Sequence, residues 1–196
     1  MISAAVNYRS ITKKAKKTLI KGGIGVIPTD TIYGIVGSVL SLAAVKRIYR
    51  LRRRNPKKPM IILIGSLAQL RLFGIYVSLR DKKIIKRLWP GKVSIVFPCK
   101  RKNLSHLHRG TGTLAFRLPA RKNLRDLLIG VGPLVAPSAN IEGKPPANTT
   151  GEARKYFGNK VDFYIDAGKL ISPPSTLVTI KNGKIIVLRK GAVNIY

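Results

Sequence analysis

Acidic residues, cysteine and long apolar runs are all scarce in this sequence. The 196 residues include seven Asp and Glu and one cysteine, Cys99. A single cysteine excludes a disulfide framework and a thiolate metal cage, and so few carboxylates disfavour paired-acid hydrolysis. No apolar run approaches the roughly 18 residues that span a bilayer. These absences predict a cytoplasmic protein in a reducing setting, with no membrane partner.

Several catalytic motifs are also missing. The sequence contains no G-x-S-x-G nucleophile elbow, no Walker P-loop and no G-x-G-x-x-G dinucleotide fingerprint. His106 and His108 have no third ligand candidate beside them, so we predict surface or loop histidines and no metal site. Hydrolases, P-loop NTPases and Rossmann dehydrogenases are therefore disfavoured.

Positive charge is abundant: 38 Lys and Arg give a formal net charge of +31. Such a field favours polyanionic partners, such as nucleic acid and nucleotides. A general bias of the composition towards Lys and Arg, with these residues on a solvated surface, explains the net charge equally well. Only charges that belong to motifs carry functional information.

A polar strand tip opens the most informative stretch. Ile24–Ile27 predicts a short strand that ends at Pro28, because proline has no N–H for the sheet ladder. Thr29, Asp30 and Thr31 follow directly, beyond the carboxyl end of the strand, where α/β sheets bind ligands. This tip is a candidate ligand site.

A helix with an arginine-rich end follows the tip. Ser41 is a good N-cap, and the helical spacing predicts that Leu42, Val45, Ile48 and Tyr49 face inward. The helix ends in Arg52–Arg54, where cations also complement the helix dipole. Met60–Ile64 is a continuous apolar run and predicts a strand buried on both faces. Together with Ile24–Ile27 it predicts a right-handed βαβ unit.

The remaining chain alternates short helices and strands in what we predict to be one domain, residues 1–196. Further helices are predicted at Ser10–Lys21, Ser66–Phe73, Asp81–Leu88, Asn123–Ile129 and Gly151–Phe157. Further strands are predicted at Val93–Phe97, Thr113–Leu118, Leu134–Ala136, Val161–Ile165, Thr176–Ile180 and Lys184–Leu188, the last two joined by an Asn-Gly hairpin turn. Gly143–Thr150 is predicted to be a loop able to close over a ligand.

Arg117 lies inside an apolar strand, where a lone charge must either face solvent or meet an anion. Guanidinium, hydroxyl and amide groups at strand ends suit chemistry in which charge on phosphate or carboxylate is neutralised. From the residues alone, we predict a binder or transferase of a nucleotide and a small anion.

Seven motifs in order resemble the YrdC/TsaC family of threonylcarbamoyl-AMP synthases, from about Ile24 to Ala192. They are Pro28–Gly34, Arg52-x-Arg54 with Pro59-Met60, Trp89-Pro90-Gly91, Leu114–Pro119, Pro137–Asn140 with Gly143, Ser175-Thr176 and Leu188-Arg189-x-Gly191. The resemblance implies a single-domain α/β fold of the YrdC/RibB-like kind, with a twisted mixed sheet, flanking helices and a large concave basic cavity. The chain is similar to the short form that lacks an extra C-terminal domain.

The resemblance also implies a nucleotidyltransferase reaction. L-Threonine, bicarbonate or CO2, and ATP with Mg²⁺ would give threonylcarbamoyl-adenylate and pyrophosphate, for N6-threonylcarbamoyladenosine modification of tRNA. The implied partners beyond these substrates are tRNA or double-stranded RNA and a downstream threonylcarbamoyl-transferase complex.

Site residues are carried over motif by motif. The resemblance implies catalytic roles for Thr31, Arg54 and Arg117, and no metal ligand. It implies that threonine is bound by Thr31, Arg117 and Thr176. It implies that the nucleotide is bound by Arg52, Arg54, Thr113, Ser138, Asn140 and Arg189.

This chain departs from the family pattern at three positions. Arg52 stands where the family usually has lysine, with Arg50-x-Arg52 as a competing register. Ser94 replaces a common threonine, and Glu142 puts a negative charge near the predicted phosphate site unless it points to solvent.

Two alternatives stay open at this stage. One is a non-catalytic module of the same fold that binds double-stranded RNA or tRNA through Lys13–Lys17 and Lys100–Arg109. The other is a carbamoyl-transfer domain of the hydrogenase-maturation type.

Overall fold

Nine strands form one mixed sheet in the computed structural model, which describes residues 13–195. The strands are β1 Ile24–Pro28, β2 Tyr33–Ser38, β3 Ile62–Leu63, β4 Val93–Pro98, β5 Thr113–Arg117, β6 Leu134–Val135, β7 Phe163–Tyr164, β8 Thr176–Lys181 and β9 Lys184–Arg189. Their order across the sheet is β7-β1-β2-β6-β3-β5-β4-β8-β9. The α-helices are α1 Lys13–Ile20, α2 Leu42–Leu51, α3 Leu79–Leu88, α4 Ser105–His108, α5 Lys122–Val131 and α6 Thr150–Phe157. The predicted mixed α/β class is confirmed.

The connection around the polar tip differs from the prediction. β1 turns back into β2, with Ile24 opposite Gly37 and Pro28 opposite Tyr33 in an antiparallel pair. β2 and β3 are each antiparallel to β6, which lies between them. The helical crossover therefore joins β2 to β3 through α2, and the predicted unit starting at Ile24–Ile27 is wrong. The missed strand β2 is the reason.

Helices cover both faces of the sheet. Successive residues of a strand point to opposite faces, and Ile62 packs in the apolar cluster that includes α2, whereas Leu63 packs in the cluster that includes α1 and α5. Every residue of β1 and β2 is buried. This continuous burial explains why these strands lack a polar alternation.

The N-cap of α2 is as predicted, but one residue predicted to face the core, Leu42, does not. The Ser41 side chain accepts a hydrogen bond from the Ala44 N–H, which confirms the N-cap. Val45 and Ile48 are buried, as expected, but Leu42 is 45% exposed. The predicted inward orientation of Leu42 is wrong, because Ala44 takes the core-facing position in the first turn.

Most other predicted elements are present with shifted ends. Ser66–Phe73 forms a 3₁₀ helix over Leu67–Phe73, and the predicted basic loop contains the short helix α4. The part of the predicted first helix before Lys13 lies outside the described residues. The Asn182-Gly183 hairpin is confirmed, with Lys181 opposite Lys184.

The histidine prediction is only partly right. His108 is buried, and its Nδ1 accepts a hydrogen bond from the Gly110 N–H while Nε2 lies 3.2 Å from the Arg101 carbonyl oxygen. These contacts describe a structural histidine within the loop. Cys99 is also buried, with Sγ 3.6 Å from the Phe73 carbonyl oxygen.

Candidate active site

Two adjoining pockets lie on the sheet face opposite the α2 cluster. Ile61, Ala115 and Leu177 line them, whereas the core contains their strand neighbours Ile62, Phe116 and Val178. The ligand site therefore lies over this sheet face. Several of its residues also lie at strand ends: Thr29 and Thr31 follow β1, Arg117 is the last residue of β5 and Ser138 lies shortly after β6.

Pocket A has a volume of about 170 Å³, and pocket B has a volume of about 300 Å³. The polar lining of pocket A is Thr29, Thr31, Arg117, Ser138, Ser175 and Arg189. The polar lining of pocket B is Arg52, Arg54, Thr113, Ser138 and Arg189. The two pockets share a wall made of Ile61, Pro137, Ser138 and Arg189.

The floor of pocket A is a chain of hydrogen bonds ending at Arg117. Arg117 Nη1 donates to Thr31 Oγ1 at 3.0 Å, and Thr31 Oγ1 lies 3.1 Å from Thr29 Oγ1. Thr29 Oγ1 donates to the Ile32 carbonyl at 2.7 Å, so the turn after β1 holds its own hydroxyl in place. The polar tip is thus pre-organised around a guanidinium group.

Arg117 is buried, at 4% exposure, beside the equally buried Asp30. Its Nη2 lies 3.1 Å from Asp30 Oδ1 in an ion pair that does not meet hydrogen-bond geometry, while Asp30 Oδ2 accepts from the Ala120 N–H at 3.1 Å. Burial lowers the pKa of Arg117, and Asp30 opposes that shift. The buried Nε atom has no hydrogen-bond partner among residues 13–195. It is an unsatisfied buried donor on a residue that lines pocket A.

Arg52 reaches from the end of α2 into the wall of pocket B. Its Nη2 donates to Asn140 Oδ1 at 2.8 Å and to Ser138 Oγ at 3.2 Å, and its Nε donates to the Asn140 carbonyl at 3.0 Å. Burial and the nearby Arg54 lower the pKa of Arg52 to about 10, which leaves it charged at neutral pH. Nη1 is buried with no hydrogen-bond partner in the described chain, which leaves one unsatisfied donor in the wall of pocket B.

Arg54 is fixed by backbone carbonyls rather than by side chains. Its Nε donates to Lys58 O at 3.1 Å and its Nη2 donates to Pro59 O at 2.8 Å. Arg54 Nη1 lies 3.9 Å from Glu142 Oε1. Glu142 therefore faces the arginine-rich segment while staying partly exposed, so its negative charge does lie near the predicted phosphate site.

Arg189 and the segment before β8 close the far side of both pockets. Arg189 Nη2 donates to the Ser175 carbonyl at 2.8 Å. Ser175 Oγ lies 2.8 Å from Ser94 Oγ, so both hydroxyls are held within the structure. Burial, followed by repulsion from Arg54, lowers the pKa of Arg189. Mutual repulsion among these cations favours an anion between them.

The loop Gly143–Thr150 is anchored against the site. Ala147 is buried and its N–H donates to Ala139 O at 3.2 Å, and Tyr156 Oη donates to Pro145 O at 2.9 Å. Pro146 lines pocket A. In this structure the loop already forms an edge of the pocket.

Most of the predicted site residues converge. Those that line a pocket are Thr31, Arg52, Arg54, Thr113, Arg117, Ser138 and Arg189. Asn140 lies behind the wall as the partner of Arg52. Thr176 lines neither pocket, since it is 1% exposed and its Oγ1 donates to Val193 O at 2.6 Å.

Some lining residues lie outside the set implied by the family resemblance, among them Thr29, Ser175 and Pro146, although Thr29 belongs to the polar tip described above. Thr29 and Ser175 both belong to motifs quoted above and carry hydroxyls of the type sought, so the motifs contained the signal. Pro146 gave no such signal, because it reaches pocket A only through the path of its loop.

Two other cavities lack this convergence of polar groups. An apolar groove of about 350 Å³ lies between the 3₁₀ helix and α3, lined by Leu67, Ile75 and Ile85 among others. A surface groove of about 480 Å³ is lined by Arg50, Arg53 and further residues beside α2. Neither contains a buried charged side chain without a hydrogen-bond partner.

The described residues contain no group of three His, Cys, Asp or Glu side chains able to hold a metal ion. No described helix is long and apolar enough to cross a membrane.

Comparison with known proteins identifies relatives over nearly the whole chain. A family model for Sua5/YciO/YrdC proteins, described as "Telomere recombination", matches residues 17–191. A putative threonylcarbamoyl-AMP synthase of Methanocaldococcus jannaschii is 33% identical over 188 residues, covering 95% of this chain and 88% of the relative.

A Pyrococcus abyssi threonylcarbamoyl-AMP synthase is 31% identical over 175 residues, covering 88% of this chain and 52% of the relative. The structure of P. abyssi Sua5 complexed with L-threonine superposes with a TM-score of 0.82 at 30% identity. That match covers 91% of this chain and 53% of the Sua5 chain, so this chain spans about half of the longer proteins.

Proposed function

Because the chain belongs to the Sua5/YciO/YrdC family, we propose that it is a threonylcarbamoyl-AMP synthase, a nucleotidyltransferase that makes L-threonylcarbamoyladenylate and pyrophosphate. The substrates are L-threonine, bicarbonate or CO2, and ATP. Relatives at 31–33% identity carry this synthase name, and a related structure holds L-threonine. The same comparisons disfavour a non-catalytic RNA-binding module.

One observation carries the assignment: pockets A and B share Ser138 and Arg189. Two ligands that fill the pockets therefore meet at one polar wall. Holding two reactants side by side converts a bimolecular step into an effectively unimolecular one, which supplies much of the rate. A single-substrate enzyme has no need of this arrangement.

Pocket A suits the amino acid. A threonine carboxylate would pair with the free Nε side of Arg117, and the substrate hydroxyl would face the hydroxyls of Thr29 and Thr31. We assign Thr31 and Arg117 to threonine binding. We assign Thr176 a supporting role behind the pocket, since its hydroxyl donates a hydrogen bond to the Val193 carbonyl.

Pocket B suits the nucleotide. Arg52 presents its free Nη1, and Arg54 and Arg189 add two further guanidinium groups. Ser138 and Asn140 fix Arg52 by hydrogen bonds, and Thr113 lines the opposite side. We assign these residues to ATP, with the arginines facing its phosphates.

The chemistry follows from this placement. The threonine amine adds to CO2 derived from bicarbonate and loses a proton, which gives a carbamate and water. A carbamate oxygen then attacks the α-phosphorus of ATP in line, and the bond between the α-phosphorus and the α,β-bridging oxygen breaks, which releases the β- and γ-phosphates as pyrophosphate. Nucleophile and leaving group are both anions, so Arg54 and Arg117 would act mainly by neutralising charge.

Mg²⁺ enters this proposal as part of the substrate. Magnesium keeps several waters and binds through nucleotide phosphates rather than through an all-protein cage, and the described residues offer no such cage. The metal ion would neutralise charge on the triphosphate. We further propose that the product serves tRNA modification in the cytoplasm through a threonylcarbamoyl-transferase complex.

The test is to incubate the pure protein with Mg-ATP, bicarbonate and each amino acid in turn, and to measure pyrophosphate. We expect pyrophosphate only with threonine and only with bicarbonate present, and we expect EDTA to stop its release. Release that does not depend on an amino acid, or that depends on a different one, would contradict the proposal.

A further inference from the structure

The carboxylate of Glu142 is held by three cationic or N–H donors at the rim of pocket B. Its Oε2 accepts from the Asn55 backbone N–H at 2.5 Å, and its Oε1 lies 3.2 Å from Lys58 Nζ and 3.9 Å from Arg54 Nη1. A backbone N–H, an ammonium and a guanidinium are the donors that proteins use to bind phosphate.

We propose that these donors form a phosphate subsite which the chain's own Glu142 occupies, and that a phosphate group of the nucleotide or pyrophosphate displaces it. The inference deepens the proposed function and rests on it for the identity of the ligand. Glu142 would then set how tightly the phosphates bind, by competing for Asn55, Lys58 and Arg54.

The Arg54 guanidinium and the backbone of the donor segment do not depend on Glu142 for their positions. Arg54 is held by the carbonyls of Lys58 and Pro59. The Lys58 carbonyl also accepts from Tyr49 Oη at 2.8 Å, and the Lys58 N–H donates to Asn55 O at 3.1 Å. Removal of the carboxylate would therefore leave the Asn55 N–H and the Arg54 guanidinium in place, with the exposed Lys58 side chain on the neighbouring backbone.

Glu142 is also able to leave. Its backbone N–H is fixed to Arg52 O at 2.8 Å, so the main chain stays in place while the side chain changes rotamer. The side chain is 27% exposed, so it can move into water without burying a charge. The Asn55 N–H, with Lys58 and Arg54, holds the pKa of Glu142 below its usual value, so the resident group is an anion at neutral pH.

Arg54 joins this subsite to pocket B, since it lines the pocket and faces Glu142. A nucleotide whose inner phosphates lie against Arg52 would place an outer phosphate near Arg54. Carboxylate and phosphate cannot share the three donors, because like charges repel at this distance.

The experiment compares Glu142→Gln with the wild-type protein by calorimetric titration of pyrophosphate, and of an ATP analogue with a methylene group between the α- and β-phosphates. Glutamine keeps an acceptor oxygen for the Asn55 N–H and removes only the charge. We expect about fivefold tighter binding of both probes at low ionic strength, the size of a partly exposed charge interaction. The gain should shrink as salt is added.

Asp126→Asn is the charge-matched control. Asp126 pairs with Lys122 on the surface of α5, away from the pockets, so this variant adds the same net charge and should leave both affinities unchanged. Threonine affinity should stay the same in Glu142→Gln.

Unchanged or weaker pyrophosphate binding in Glu142→Gln would overturn the inference, because the carboxylate would then be only a structural clamp. Equal tightening in Asp126→Asn would also overturn it, in favour of a general charge effect. If the wild-type protein releases pyrophosphate from ATP in a threonine-dependent reaction while Glu142→Gln shows no tightening, the inference is contradicted and the proposed function stands. A wild-type protein that binds pyrophosphate without threonine-dependent synthesis would contradict the function alone.

Discussion

At the scale of single residues, Arg117 and Asp30 form a buried ion pair whose two members have different tasks. Arg117 also bonds Thr31 and keeps Nε free, whereas Asp30 holds the Ala120 N–H. A buried pair contributes little net stability, but breaking it leaves an uncompensated charge, which costs about 3–5 kcal/mol. Any test of Arg117 must therefore separate folding from chemistry.

We predict that Arg117→Met lowers the free energy of unfolding by about 3 kcal/mol, because Asp30 is left buried and unpaired. Asp30→Asn in the same chain should recover much of this loss, since asparagine is neutral and still accepts from Ala120. Threonine-dependent pyrophosphate release should be lost in both proteins. Urea unfolding and a pyrophosphate assay measure the two effects. Activity in the stabilised double variant would remove Arg117 from the reaction.

Tyr33 gives a prediction at alkaline pH. Its hydroxyl donates to Gly168 O at 2.8 Å and accepts from the Ala167 N–H at 2.8 Å, and burial raises its pKa to about 12. The unfolded chain ionises first, near pH 10, so the stability that Tyr33 adds is complete below pH 10 and is lost as pH rises towards 12.

We therefore expect the stability difference between the wild-type protein and Tyr33→Phe, about 1–2 kcal/mol at pH 8, to disappear by about pH 11 to 12. Urea unfolding across this range measures the difference. Tyr76→Phe, at a ring that is 80% exposed, is the control and should follow the wild type throughout. A constant difference for Tyr33→Phe would contradict the raised pKa.

Sequence reasoning was strongest for residues whose type is unusual for their surroundings. A lone arginine in an apolar strand had either to face solvent or to meet an anion, and Arg117 is buried and meets Asp30. The sequence could not show that Arg52 is buried against Ser138 and Asn140, or that Arg54 is held by backbone carbonyls. Both arginines have the same sequence context, and only the path of the following loop separates them.

At the scale of elements, β2 is the instructive miss. Tyr33–Ser38 contains Gly34 and Gly37 and shows no polar alternation, so it gave no strand signal. Packing around Gly37 is tight, because an added Cβ would lie 3.0–3.1 Å from side-chain atoms of Ile24, Ala44 and Ile48, which would have to move by a few tenths of an ångström. Because β2 was not predicted, the β1–β2 hairpin was interpreted as a strand followed by a loop. The helical crossover was therefore assigned to β1 instead of β2.

Gly191 supports the segment that closes pocket A. An added Cβ would lie 2.3 Å from Pro174 O and 2.6 Å from backbone atoms of Ser175 and Thr176, so this backbone would have to move. Pro174 and Ser175 line pocket A. A small change at Gly191 should therefore reach the threonine site through the main chain.

We predict that Gly191→Ala weakens threonine binding by about tenfold or more and lowers stability by about 1–3 kcal/mol, as expected for an overpacked contact. Calorimetric titration of threonine and urea unfolding measure the two effects. Gly130→Ala is the control: nothing lies within 4 Å of its added Cβ, and α5 should gain about 0.5–1 kcal/mol. Unchanged threonine affinity in Gly191→Ala would show that the segment adapts.

At the scale of the whole molecule, self-repulsion is the dominant electrostatic effect. With 38 basic and seven acidic residues, like-charge pairs far outnumber ion pairs. Part of the charge has local roles, as at Arg52, Arg54, Arg117 and Arg189, and part lies on solvated faces such as the exposed lysines of α1. A compact state with this imbalance is destabilised by its own field.

We predict that the melting temperature rises by roughly 3–6 °C between 0.02 and 0.3 M NaCl, because the screening length falls to less than the spacing of many surface charges. Scanning calorimetry without substrates measures the change, and an equal osmolality of an uncharged sugar separates screening from solvent effects. A melting temperature that falls with NaCl would mean that the ion pairs outweigh the repulsion.

The wall of Ile61, Pro137, Ser138 and Arg189 between the two pockets has a consequence for how this site can change. A side chain in this wall lines both pocket A and pocket B. A substitution that adapts one pocket to a different ligand therefore also changes the other pocket. Specificity for the amino acid and for the nucleotide is therefore tied together, and variation should accumulate first at positions that only one ligand touches.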